Sequence, residues 1–128
     1  MIYLDTCLLI YAVEDAGPRG ARVRKQLAEN DSAGFAVSPL VKLECLVGAF
    51  RTGDPGLLER YAQSFASAST VPMTEEVFLR AARIRADHSL KVPDALHLAA
   101  ALDSGCTELW TNDHRLARAA GTFVKAVV

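Results

Sequence analysis

The chain has 128 residues, a formal net charge of -1 and a hydrophobic fraction of 51%. That length suits one domain, and that apolar content supports a sizeable core without covalent staples. Near-neutral charge excludes a bulk-electrostatic nucleic-acid binder, though not an enzyme with a local basic groove. Three cysteines, Cys7, Cys45 and Cys106, stand far apart among apolar neighbours. They read as small buried hydrophobes of a reducing compartment. Asp5 interrupts the opening apolar run and no basic residues precede it, which reads against a signal peptide. No apolar run reaches membrane-spanning length. The expectation is a soluble cytoplasmic protein, one domain over 1–128, with no membrane association.

Met1 to Leu4 reads as a strand that ends in Asp5 and Thr6. A helix from about Cys7 closes at the turn Glu14-Asp15-Ala16-Gly17-Pro18. Pro18 to about Asn30 is amphipathic, with arginines and Lys25 on its outer face. Phe35 to Val37 is a short buried strand. Ser38 then caps a helix with Pro39 in its first position. Arg51 to Gly56 reads as a loop, and Leu57 to Ala66 as a helix. Thr70 to Met73 is a short strand, placed at a sheet edge by Pro72. Thr74 caps a helix that opens on Glu75-Glu76 and runs to about Asp87. Leu90 to Pro93 reads as a connection, and Asp94 to Leu102 as a strongly apolar helix. Glu108 to Thr111 is a strand, Asp113 to Ala119 a short helix, and Phe123 to Val128 a final strand. This alternation predicts an α/β fold: a helix-rich three-layer α/β/α sandwich with a central parallel sheet.

The acids carry the chemistry. Asp5 and Asp113 follow predicted strands, at the sheet edge where ligands gather in open α/β folds. Glu44 lies on an apolar helix face, where an acid must be paired, protonated or metal-bound. Asp94 opens a buried helix. Each has a plainer reading, since Asp5-Thr6 and Asp94 are also good helix caps. If the acids converge, two carboxylates ~4 Å apart repel by roughly 4 kcal/mol at an effective dielectric near 20. Oxygen-only ligands then select a hard divalent ion, Mg2+ or Mn2+. Metal-dependent phosphodiester hydrolysis is the chemistry that follows.

Rival signatures are missing. There is no phosphate-binding GxxxxGK[ST] loop, no GxGxxG and no GxSxG elbow. His88, His97 and His114 have no zinc-like spacing with the cysteines. His97 reads as a packed histidine, or as one that orients a carboxylate. Trp110 reads as core rather than a base-stacking platform. Lys42, Arg80, Arg83, Lys91 and Arg115 are candidate RNA contacts, each with the plain alternative of a solvated charged face.

Four stretches now stand together: Met1-Ile-Tyr-Leu-Asp5-Thr6, Ser38 to Glu44, Pro93-Asp94-Ala-Leu-His97-Leu-Ala-Ala, and Leu109-Trp-Thr111-Asn112-Asp113. In this order they resemble the PIN-domain nucleases, above all the VapC-type ribonuclease toxins of bacterial toxin–antitoxin pairs. The resemblance implies the α/β/α sandwich, a Mg2+- or Mn2+-dependent endoribonuclease, and a homodimer. It also implies an antitoxin that masks the active site and joins in binding promoter DNA. On this likeness Asp5, Glu44, Asp94 and Asp113 match the acidic quartet, with Asp5, Asp94 and Asp113 as metal ligands. Thr6, Thr111 and Asn112 match its supporting positions. Many relatives carry a further acid after the fourth; here His114-Arg115-Leu116 follow, so one ion is expected and two are allowed. Alternatives are a PIN nuclease of RNA maturation or of DNA, a catalytically silent binding module, and a flavodoxin-like phosphate switch. The last lacks a lysine after a late strand.

Overall fold

The computed structural model describes residues 1–127. Strand β1 (Ile2–Leu4) leads into α1 (Thr6–Glu14) and α2 (Pro18–Glu29). Then come β2 (Phe35–Val37), α3 (Pro39–Thr52), α4 (Pro55–Ala66) and β3 (Ser69–Thr70). The second half is α5 (Glu75–His88), α6 (Val92–Asp103), β4 (Glu108–Thr111), α7 (His114–Ala120) and β5 (Val124–Ala126). The five strands pair in the order β3-β2-β1-β4-β5, and every pairing is parallel. The three-layer sandwich expected from the alternation is the one observed.

β1 lies at the centre of the sheet, between β2 and β4. Ile2, Tyr3 and Leu4 are all buried, as a strand covered on both faces requires. Tyr3 pairs with Ala36 on one side and Leu109 on the other. From β1 the chain steps outward to β2 and β3, then returns across the sheet to β4 and β5. Right-handed crossovers therefore put α1 to α4 on one face and α5 to α7 on the other. The helix packing agrees: α1 touches α2, α3 and α4, while α5 lies along α6. The reversal of direction falls between β1 and β4, so their carboxyl ends bound a crevice.

The caps follow the sequence closely. Ser38 Oγ accepts from Val41 N at the start of α3, and Thr74 does the same for Val77 in α5. Boundaries shift in four places. The expected loop Arg51 to Gly56 shrinks, because α3 continues to Thr52 and stops at Gly53, whose φ of 66° is left-handed. Asp54 then caps α4, with Pro55 in its first turn. The expected connection Leu90 to Pro93 is shortened: α6 begins at Val92 and absorbs Pro93 in its first turn, where a missing N–H costs nothing. The strand expected over Thr70 to Met73 is Ser69–Thr70, with one further bond from Val71 N to Val37 O. Pro72 has no N–H to continue it, and β3 is the sheet edge that this proline indicated. The final strand ends at Ala126; its expected last residue, Val128, lies outside the described residues.

Trp110 is core, 4% exposed, with its ring edge-on to Phe35. Cys45 and Cys106 are buried and all three cysteines are free thiols. Among the described residues, no helix is long and apolar enough to cross a membrane.

Leu109 has no exposed surface and sits between Tyr3 and Val124 in the sheet. Leu109→Ala is expected to lower stability by about 2–5 kcal/mol, read as a shifted urea midpoint at unchanged slope.

Candidate active site

Asp5, Thr6, Thr111 and Asp113 lie at the carboxyl ends of β1 and β4. Asp5 ends β1 and is 7% exposed. Its Oδ1 accepts from Thr6 N at 2.8 Å, so it caps α1 as the plainer reading held. Its Oδ2 accepts from Thr111 Oγ1 at 2.6 Å. Thr111 Oγ1 also accepts from Asp113 N at 3.0 Å. One buried hydroxyl thus ties the end of β1 to the end of β4. Asp113 caps α7 through a single oxygen, Oδ1, which accepts from Arg115 N and Leu116 N.

Glu44 comes from α3 and is bound by two other elements. Its Oε1 accepts from Thr6 Oγ1 at 2.7 Å and meets His97 Nε2 at 2.7 Å. His97, on α6, is 2% exposed and lies 3.7 Å from Asp5 Oδ1. Its other nitrogen, Nδ1, meets Tyr3 Oη at 2.8 Å, and Tyr3 Oη meets Ser38 Oγ at 2.7 Å. The protons along this chain follow from the charges at its end. The bond from His97 holds the Glu44 carboxyl below its usual range, and Thr6 adds to this against burial. Glu44 is therefore an acceptor, and His97 donates from Nε2. Burial pushes the Tyr3 hydroxyl well above its ordinary value. Tyr3 therefore keeps its proton and its Oη bridges His97 Nδ1 and Ser38 Oγ, while Ser38 Oγ accepts Val41 N–H. Every member is satisfied, as a buried polar chain must be.

Asp94 stands apart from that chain. Lys91, not Asp94, is the N-cap of α6, so the capping explanation for Asp94 fails. Burial raises its carboxyl first, and the facing charges of Asp113 and Asp5 raise it further. Carboxylates from β1, α6 and the end of β4 thus repel one another across the crevice. Among the described residues, no three His, Cys, Asp or Glu side chains already surround a common point at metal-binding distance. The donor chemistry nevertheless suits a hard cation: oxygen ligands only, with a repulsion that a positive charge relieves.

The supporting residues divide. Thr6 and Thr111 are in the site. Asn112 Nδ2 donates to Tyr11 Oη at 2.6 Å, bracing β4 against α1, and Arg19 lies 3.8 Å over the Tyr11 ring. Of the basic residues, Lys91 and Arg115 border the Asp94 end of α6. Lys42 instead lies 5.7 Å over the Phe65 ring, on a different side of α3 from Glu44. Arg80 pairs at 3.7 Å with Asp103, at the far end of α6 from Asp94. Arg83 is exposed one turn along α5 from Arg80. Sequence patterning missed Tyr3 and Ser38, which looked like strand and cap alone. Their polar partners lie 94 and 35 residues away.

Residues 2–122 match the family model of the PIN domain. This chain belongs to the PIN-domain family. It is 33% identical over 120 residues to Ribonuclease VapC47 of Mycobacterium tuberculosis, covering 91% of this chain and 87% of that protein. Two solved structures share the PIN fold. One is a toxin-antitoxin complex from Klebsiella pneumoniae, with a TM-score of 0.80 and 23% identity, covering 100% of this chain and 98% of that one. The other is VapBC2 from Rickettsia felis bound to a DNA fragment from their promoter, with a TM-score of 0.79 and 16% identity, covering 98% of each chain.

Tyr3→Phe keeps the ring and strands His97 Nδ1, so it is expected to cost about 1–3 kcal/mol. Ser38→Ala also removes a helix cap, for about 1 kcal/mol. Because both act on one chain of hydrogen bonds, the double variant is expected to lose less than the sum in urea unfolding.

Proposed function

We propose that this PIN-domain protein is a divalent-metal-dependent endoribonuclease, the toxin of a type II toxin–antitoxin pair. What carries the reading is that the charges of Asp113 and Asp5 bear on the half-buried Asp94, with Glu44 hydrogen-bonded to Thr6 and His97 beside Asp5. A silent binding module has no use for carboxylates that repel one another in a half-buried cleft. The 33% identity to a ribonuclease over most of both chains supports RNA as substrate.

Asp5, Asp94 and Asp113 are the residues that would hold Mg2+ or Mn2+. The ion supplies positive charge against the acids and against the charge that develops on the phosphate. The chain does the rest. Thr111 fixes the Asp5 carboxylate and the start of the turn that carries Asp113. Thr6 and His97 hold Glu44 by Oε1, which leaves Oε2 to orient the attacking water and take its proton. That water attacks a backbone phosphate in line, and the ribose oxygen on the far side leaves. Unpaired RNA, with its phosphates open to a shallow edge, fits better than duplex.

The relatives in complexes support an antitoxin as partner and promoter DNA reached through that complex; a homodimer and a cytoplasmic site of action rest on the family likeness alone.

Asp5→Asn is expected to lower RNA cleavage at least about 100-fold while the unfolding midpoint stays within the folded range, and excess chelator to abolish wild-type cleavage. Gel analysis of a structured RNA with Mg2+ checks both. Full activity of Asp5→Asn, or in chelator, would refute the reading.

A further inference from the structure

Of the acids that hydrogen bonds hold, Glu44 is the one held by side chains alone. Backbone N–H groups bond the carboxylates of Asp5 and Asp113. Glu44 instead hangs from α3 on three rotatable bonds, with its side chain 31% exposed. Among the described residues only its Oε1 is bonded, by Thr6 Oγ1 and His97 Nε2, each at 2.7 Å. A carboxylate so placed is aimed only as well as its donors are.

Thr6 is fixed as the buried first residue of α1. His97 needs a second hold. One turn on along the same side of α6 stand Ala100 and Ala101, which offer the ring only methyl groups. A flip of the imidazole about its Cβ–Cγ bond puts carbon where both nitrogens now bond. The second hold is Tyr3, whose Oη meets Nδ1 at 2.8 Å.

Tyr3 is itself anchored. It has no exposed surface, and its strand pairs on both sides. Its Oη also meets Ser38 Oγ at 2.7 Å, and Ser38 caps α3, the helix that carries Glu44. The contacts therefore close a loop. It runs from Ser38 about 9 Å along α3 to Glu44, across to His97, and back through Tyr3 to Ser38. Glu44 is thus fixed relative to the start of its own helix, and the corner of the loop belongs to the central strand.

We propose that Tyr3 is a positioning residue for RNA cleavage: its hydroxyl fixes the His97 ring, and His97 fixes the Glu44 carboxylate for the attacking water. The proposal rests on the ribonuclease reading and adds a residue that touches neither metal nor RNA.

The test compares Y3F with Y61F. Each removes one buried tyrosine hydroxyl, and that of Tyr61 bonds Glu14, at the opposite end of α1 from Asp5. Urea midpoints are measured first. Cleavage is then followed with Mg2+ on an RNA that wild type cuts, at a temperature where every variant is folded. Y3F is expected to lower kcat about tenfold with KM unchanged, and Y61F to keep both constants. Mn2+ affinity, read by EPR of the free ion, is expected to keep its wild-type value in Y3F, because Asp5 retains its bonds from Thr6 and Thr111. The third variant is H97Q. Glutamine still offers Glu44 an amide N–H but has no second nitrogen for Tyr3. H97Q should lose kcat as Y3F does, and Y3F/H97Q should lose no more than H97Q. If Y3F does not fold, H97Q alone carries the same expectation.

Equal kcat in Y3F and Y61F overturns the proposal and leaves the ribonuclease reading standing. Additive losses in Y3F/H97Q overturn it as well, since Tyr3 then acts by a route other than His97. So does a fall in Mn2+ affinity that matches the fall in kcat, which places the effect on Asp5, 3.7 Å from His97 Nε2. Wild type that cuts no RNA overturns both.

Discussion

Carboxylates that repel one another are the constraint on which this structure turns. Asp5, Asp94 and Asp113 come from β1, α6 and the end of β4, and burial raises the strain on Asp94. Hydrogen bonds from neighbouring elements hold Asp5, Asp113 and Glu44 in place. Thr111 grips Asp5 and the backbone of Asp113, and Thr6 grips Glu44. The repulsion left over makes the crevice a place for a cation, and a cation beside a phosphate is a hydrolytic centre.

The chain from Val41 through Ser38, Tyr3 and His97 to Glu44 extends that holding into the core. It joins α3, β1 and α6, elements from both faces of the sheet. At its two ends stand a backbone N–H that can only donate and a carboxylate that accepts. One strand residue, Tyr3, therefore serves the sheet with its backbone and the site with its hydroxyl. Packing and chemistry are not separable at that position.

The charge distribution has the same economy. Arg19, Lys25 and Arg80 pair with neighbouring acids on the outer faces, whereas Lys91, Arg115 and Arg118 gather with Asp94 around one concavity. A chain of net charge -1 can thus present a small positive surface without becoming a general nucleic-acid binder.

Much of this was legible in the residues alone. Apolar runs of strand length and helical stripes dictated the alternation, and Ser38-Pro39 and Thr74-Glu75 are local cap chemistry that holds wherever the chain goes. The acids were visible because an acid at a strand end, or on an apolar helix face, is costly without a partner. What those residues could not show was who the partner is. His97 read as a packed histidine or one that orients a carboxylate, and Tyr3 as strand, because a polar atom declares itself only against the atom it meets, and theirs lie 53 and 94 residues away along the chain. The same holds for Lys42 and Arg80, whose charge was plain and whose direction was not. Short-range sterics and hydrogen bonding determine elements from sequence; only the folded sheet, by bringing β1 beside β4, decides which side chains share a space.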